Sequence, residues 1–139
     1  MRELTRDEIE AFLVGQRIAR LGCYAGSETY VVPVIYAYDD GAIVTVTQEG
    51  RKVAMLRENP RVCVEFDEYD ADGRGSWRSV IAYGAAEELA GDEIQAALAL
   101  LRKRFARAAS REAESRPLSP GTVVLRIRLE TLSGRAVER

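Results

Sequence analysis

The stretch GAIVTVTQEGRKVAMLRENP, residues 41–60, predicts a strand that breaks and continues directly into a short helix. β-Branched residues fill its first half, as is typical of a strand. The break falls at Gly50, and residues 51–58 have the spacing of a helix. Pro60 ends that helix, because the residue before a proline disfavours helical backbone angles. Polar side chains are concentrated at this junction between strand and helix.

Two cations, Arg51 and Lys52, lie at the junction, at the start of the predicted helix. A helix N-terminus has free N–H groups and the positive end of the helix dipole, so it attracts anions. Thr45 and Thr47 precede it on one face of the strand, because strand side chains alternate. We predict a phosphate clamp formed by these cations and hydroxyls. The alternative is that the two cations form a solvated first turn, and the spacing of a Walker loop is absent.

The composition indicates a single globular domain. With 139 residues, 47% of them hydrophobic and 30% charged, the chain is predicted to form one domain over residues 1–139. The net charge of −2 makes it a poor candidate for binding nucleic acid. We expect a cytoplasmic protein, since charges interrupt the N-terminal region and no window approaches the ~20 apolar residues of a membrane span.

The sequence contains no histidine, which excludes several kinds of active site. Ser–His and Cys–His nucleophile pairs are ruled out, and so is the most common ligand of transition metals. Cys23 and Cys63 lie far apart inside apolar runs, so we expect buried free thiols and no metal site. If the protein is an enzyme, an organic cofactor is expected to carry the chemistry.

Hydrophobic periodicity predicts the other elements. Thr5 and Glu8 form the capping box of a first helix. Ile18 and Leu21 are candidate core residues, and the segment Thr29–Tyr38 is expected to be a strand buried on both faces. The predicted helices are 6–14, 51–58 and 92–108, and the predicted strands are 17–24, 29–38, 42–47, 61–66, 77–88 and 123–130, with loops at 67–76 and 109–120.

Six antiparallel-style strands in a chain of this length favour a mainly β fold. A closed or partly closed barrel with flanking helices is expected, because a barrel leaves few exposed strand edges. A parallel doubly wound sheet is disfavoured, since the first three strands have no crossover helices between them.

Several short segments, taken in order, resemble the pyridoxamine phosphate oxidase-like flavoproteins, and especially the branch near the nitroimidazole-resistance nitroreductases. The resemblance implies a six-stranded antiparallel split β-barrel, a homodimer, and FMN bound across the subunit interface. The segments are RLGC at 20–23, VVPVIY at 31–36, EGRK at 49–52, NPRV at 59–62, WRSV at 77–80, Gly84, and LSGR at 132–135.

The same resemblance implies roles for residues at the strand-to-helix junction. Arg51 and Lys52 match the phosphate-binding pair of the family. Thr45, Val46 and Thr47 match positions that line the flavin and its phosphate.

Two other strands are implied to contribute to the cofactor site. Val32, Pro33 and Val34 match a strand whose backbone runs along the isoalloxazine ring. Trp77 and Ser79 match positions that reach the cofactor from the partner subunit.

The implied activity is electron transfer from a reduced nicotinamide through FMN to a small-molecule substrate, with no catalytic side chain identified. Many relatives in this branch carry a histidine where Thr45 stands. Thr45 therefore departs from the family pattern, and it weakens the inference to their specific reductase chemistry. Tyr30, Tyr36 and Tyr38 are possible proton donors, although tyrosines in strands more often pack.

Two other functions stay open at this point. One is a non-catalytic protein of the same fold that binds a flavin or a deazaflavin, haem being the weakest candidate ligand without histidine. The other is a β-barrel without a ligand that acts through protein contacts alone.

Overall fold

The fold is seen in a computed structural model that describes residues 1–70, 73–106 and 118–139. The loop predicted at 109–120 and the end of the helix predicted to reach residue 108 lie mostly outside these residues. No helix in the described ranges has both the length and the apolar composition needed to cross a membrane.

The described residues form three helices and eight strands. The helices are α1 (Arg6–Gly15), α2 (Arg51–Glu58) and α3 (Asp92–Arg104). The strands are β1 (Arg2–Glu3), β2 (Ile18–Ala25), β3 (Glu28–Ile35), β4 (Ala37–Asp39), β5 (Ala42–Gln48), β6 (Arg61–Tyr69), β7 (Trp77–Glu88) and β8 (Thr122–Val137).

All strand pairs are antiparallel, in the spatial order β3-β2-β6-β7-β8-β5-β4, with β1 added on β8. The two ends of this order, β3 and β4, are consecutive in the chain with only Tyr36 between them. The sheet must therefore curl until its ends meet, which makes it a barrel. β3 and β5 come close to each other without pairing, and the barrel is split along the gap between these two strands.

Two apolar clusters stabilise this arrangement. The larger one fills the barrel and includes Leu13, Leu21 and Phe66, all with fully buried side chains. The smaller one lies outside the barrel, where Ala97 and Leu101 of α3 pack against β4, β5 and β8. Ile94, Leu98 and Phe105 pack against the same cluster, so α3 covers this side of the sheet with one apolar face.

Local signals in the sequence account for most element boundaries. The capping box is present, with the Thr5 hydroxyl accepting from the Glu8 N–H and the Glu8 carboxylate accepting from the Thr5 N–H. Asp40 and Gly41 have positive φ angles in the turn between β4 and β5, as a tight hairpin requires. The predicted bounds of α2 and of β7 are confirmed at both ends.

β6 and β8 continue to Tyr69 and Val137, beyond residues 66 and 130 where these strands were expected to end. Cys63, which was expected to be buried, is half-buried.

Three further expectations were wrong. The strand count is eight in the described residues, because β1 is added and the segment 29–38 is divided at Tyr36. β3 is not buried on both faces. Its outward-facing side chains are exposed, and Val31 among them is 65% exposed. Ile18 is 53% exposed, because residues three apart in a strand face opposite sides and Leu21 takes the inner one.

Gly84 permits the longest strand pair in the sheet. The register between β7 and β8 shifts next to it, and a Cβ built there would lie 1.8 Å from the carbonyl oxygen of Arg128. That distance is far inside van der Waals contact, so any side chain would push the two strands apart.

We expect Gly84→Ala to lower the free energy of unfolding by about 2 kcal/mol or more, because the two backbones cannot separate without disturbing the core beneath them. Urea unfolding followed by circular dichroism measures this. Gly15→Ala is the matched control, since its added Cβ meets nothing within 4 Å and lies in a helix, where alanine is favoured. Equal effects of the two substitutions would contradict the explanation.

Candidate functional site

The gap between β3 and β5 is the place where the sheet leaves backbone groups unpaired. β5 pairs with β8 along its whole length, but on its other edge β4 covers it only as far as Val44. Thr45 to Gln48 therefore have an open edge that faces β3. α2 begins directly after them, and no side chain caps its N-terminus.

Lys52 projects from the first turn of α2 to the inner side of this gap. Its Nζ atom donates a hydrogen bond to Thr47 Oγ1 at 2.6 Å, and among the described residues no carboxylate pairs with it. Burial lowers the pKa of the Lys52 ammonium below the usual lysine value. An anion bound beside it would favour the charged form and reverse that shift.

Thr45 is the buried polar residue of β5. Its side chain is fully buried, and Oγ1 has no hydrogen-bond partner in the described structure. A buried hydroxyl without a partner costs free energy, so such groups are uncommon in native proteins. Because Thr45 and Thr47 share the inner face of β5, the unpaired hydroxyl lies one strand repeat from the hydroxyl that holds Lys52.

Arg51 lies at the solvent-exposed side of the same helix turn and is held by two residues of β3. Its Nη2 atom lies 2.8 Å from Glu28 Oε2, and its guanidinium stacks on the Tyr30 ring at 4.5 Å from the centroid. Glu28, the first residue of β3, was not among the predicted site residues. The spacing of Glu28 and Tyr30 at i and i+2 is the signal that would have placed both on one face.

The other predicted site residues of β3 and β5 point to two different sides of the sheet. Val32 and Val34 face the barrel interior, with Val34 buried in the core and Val32 packed against it. Pro33 is exposed on the opposite side, at a position of β3 that faces away from the core. Val46 packs against α3, so only its backbone is available to the gap.

Trp77 and Ser79 are not brought together with the other predicted site residues in one chain. Trp77 pairs with Tyr69, at the end of β6 that lies eight residues beyond Arg61. Arg61 is level with the β2–β3 hairpin that carries Glu28, so the two groups are separated by about 25 Å along the strand. Trp77 instead lines a separate surface cavity of about 580 Å³ with Ser76 and Val137.

The exposed side of β2, β3, β6 and β7, which we name the outer face, carries apolar side chains beside an ion cluster of Arg20 with Glu65 and Asp67. Gly22 and Cys63 lie between Val31 and Tyr83 in one row across the four strands. Trp77 and Ser79 are on this same face, because residues at odd positions of β7 point outward up to Tyr83. The exposed large apolar side chains of the outer face are Ile18, Tyr24, Val31, Ile35, Tyr69, Ile81 and Tyr83.

The side chains considered as proton donors have structural partners. Tyr36 donates its hydroxyl to the Leu13 carbonyl at 2.6 Å, and burial raises its pKa above the usual tyrosine value. Tyr38 donates to Glu10 and accepts from the Gly41 N–H. Burial also raises the pKa of the Cys23 thiol, so Cys23 is a protonated, buried thiol at neutral pH. None of these groups is therefore free to act as a proton donor at the gap, where the Lys52 ammonium and the Thr47 hydroxyl are the polar groups in contact.

Comparisons with known proteins agree with this geometry. The family model described as pyridoxamine 5′-phosphate oxidase matches residues 5–136. A FAD-binding protein from Mesorhizobium loti is 32% identical, with a TM-score of 0.80 over 99% of this chain and 98% of that one. A protein from Bacteroides thetaiotaomicron, described as a candidate for 5-nitroimidazole antibiotic resistance, is 19% identical with a TM-score of 0.77, over 99% and 90%. At that identity the likeness concerns the fold alone.

A further relative is an uncharacterized protein from Rhizobium meliloti (strain 1021). It is 28% identical over 89 residues, which cover 64% of this chain and 58% of the relative. The match thus spans less than two thirds of that protein's length.

We expect Thr45→Val to raise the free energy of unfolding of the ligand-free protein by about 1 kcal/mol, because a methyl group replaces a buried hydroxyl that has no partner. Thr47→Val is the matched control and should lower it, since that hydroxyl accepts from Lys52. Urea unfolding of both variants tests the pair. Destabilisation by Thr45→Val would show that its hydroxyl already has a partner.

Proposed function

This chain belongs to the pyridoxamine 5′-phosphate oxidase family, and on that premise we propose that it binds a flavin nucleotide in the gap between β3 and β5. The ligand phosphate would lie at Arg51 and Lys52, and the ring system would lie along Val32 to Val34. We propose FMN as the cofactor. The Mesorhizobium loti relative is a FAD-binding protein, and FAD contains the same riboflavin phosphate.

One observation carries this proposal most strongly: among the described residues, Lys52 at the inner side of the gap has a hydroxyl as its partner and no carboxylate. Lys52 donates to a neutral hydroxyl, and Thr45 Oγ1 has no partner. A flavin phosphate would supply charged acceptors for the Lys52 ammonium. The open edge of β5 from Thr45 to Gln48 adds unpaired backbone groups that can bond to the ring.

A bound flavin supplies hydride and electron transfer, and we propose that it carries electrons from a reduced nicotinamide to a small oxidised substrate. The chain's own residues would hold the phosphate, orient the ring along the backbone of Val32 to Val34, and exclude water from the inner face. Tyr36 is committed to the Leu13 carbonyl, so we assign no side chain a role as general acid or base.

We also propose that the protein is a homodimer that pairs through the outer face. Exposed apolar patches of this kind usually mark a protein interface. Trp77 and Ser79 lie on that face, far along the strand from the gap of their own chain. A second copy packed there would bring them to the cofactor and would bury Tyr83 and Val31, which are 55% and 65% exposed in the single chain.

A second candidate function is a flavin or deazaflavin carrier without catalytic activity. The observation that favours it is Thr45, a fully buried residue that does not titrate, at the inner end of the proposed site. Equilibrium titration with FMN and with a deazaflavin separates the two ligands. Tight flavin binding without turnover across a panel of electron acceptors would support the carrier.

We expect the purified protein, mixed with FMN and freed of excess, to retain a two-band flavin absorption spectrum. Replacing both Arg51 and Lys52 by Ala should weaken FMN binding at least tenfold, because each charge-assisted hydrogen bond contributes roughly 1.5–3 kcal/mol. Arg57→Ala is the matched control, since Arg57 lies at the other end of α2 and pairs with Glu49 and Glu88. A loss below tenfold in the double variant would contradict the clamp.

We expect light scattering to give the mass of two chains for the wild type and of one chain for Tyr83→Arg, because a charge in the centre of an apolar interface cannot be solvated. Val14→Arg replaces an equally exposed apolar residue of α1 and should leave the mass unchanged. A wild-type monomer that binds FMN tightly would refute the proposed dimer.

A further inference from the structure

We propose that Glu28 lowers the affinity of the site for a ligand phosphate by competing for Arg51, an inference that rests on the proposed flavin-phosphate site. Glu28 would thereby set how strongly the protein distinguishes a phosphorylated flavin from riboflavin.

The geometry places a carboxylate where a phosphate oxygen would bind. Glu28 Oε2 lies 2.8 Å from Arg51 Nη2, a normal charge-assisted hydrogen bond. Lys52, the neighbouring cation, is paired with no carboxylate of the described residues and donates to Thr47 instead. The two cations of the clamp are therefore unlike, because one is neutralised by its own chain and the other is not.

Both ways of binding a phosphate at Arg51 are opposed by Glu28. If the phosphate displaces the carboxylate, the existing ion pair must first be broken. If the phosphate binds to the remaining N–H groups of Arg51, a carboxylate and a phosphate with a charge of roughly −1.5 to −2 share one cation at short distance. Either way, binding is weaker than it would be with a neutral residue at position 28.

Glu28 is not needed to hold Arg51 in place, and this settles the direction of the effect. The guanidinium also stacks on Tyr30 at 4.5 Å, and this contact remains when the carboxylate is removed. Glu28 itself follows the exposed hairpin turn at Gly26 and Ser27, with its side chain 68% exposed. Replacing it should leave the barrel intact.

The test compares the wild type with Glu28→Gln by equilibrium titration with FMN and with riboflavin, which has no phosphate. We expect Glu28→Gln to bind FMN about three- to fivefold more tightly, which is the range of an exposed ion pair, and to bind riboflavin as the wild type does. The gain should shrink as salt is raised from 0.01 to about 1 M, because exposed charges are screened. Glu87→Gln is the control, since it removes an exposed partner of Arg126 on the other side of the barrel.

Weaker or unchanged FMN binding by Glu28→Gln would overturn the inference, and so would an equal gain for riboflavin. If the wild type binds neither flavin, the proposed function fails. The inference would then be decided by thermal shift with inorganic phosphate. A larger stabilisation of Glu28→Gln than of the wild type would support it, and equal stabilisation would refute it.

Discussion

The connection between β3 and β4 through a single residue, Tyr36, is the constraint on which the rest of the structure depends. The two strands are at opposite ends of the sheet order but adjacent in the chain. Tyr36 is fixed at this point by its hydroxyl bond to Leu13, its backbone N–H bond to Arg17 and its edge-to-face contact with Phe66. The sheet can satisfy this connection only by curling. The curl leaves β3 and β5 close together along their edges but not paired in the ladder.

The split in the barrel gives the two sides of the sheet different chemistry. On the inner side, the apolar core ends at the gap, where the hydroxyls of Thr45 and Thr47 and the ammonium of Lys52 begin. On the outer side, β2, β3, β6 and β7 leave apolar residues uncovered, whereas α3 covers the corresponding side of β5 and β8. The proposed cofactor site and the proposed dimer interface are thus consequences of the same incomplete coverage.

The two adjacent cations at the start of α2 show how strongly position changes the chemistry of similar side chains. Lys52 turns inward, where burial disfavours its charge and a hydroxyl is its partner. Arg51 turns toward solvent, where Glu28 neutralises it and Tyr30 supports its guanidinium. A planar guanidinium can stack on an aromatic ring and form an ion pair at the surface, whereas a compact ammonium suits the enclosed position.

Local signals in the sequence were enough to determine most elements, because a helix cap, a hairpin turn and the two-residue period of a strand depend on neighbouring residues. The capping box at Thr5 and both ends of α2 were predicted correctly for this reason. The family resemblance added the split form of the barrel and the expectation of FMN at the candidate clamp. Burial of the two faces of β3, by contrast, depends on which elements pack over them, so its apolar composition was misleading. The pairing of Glu28 with Arg51 joins residues 23 positions apart, and the Thr45 hydroxyl lacks a partner because of the side chains that other strands place around it. Those features required the closed sheet, since only the tertiary structure determines which strand edges remain open and which charges meet across them.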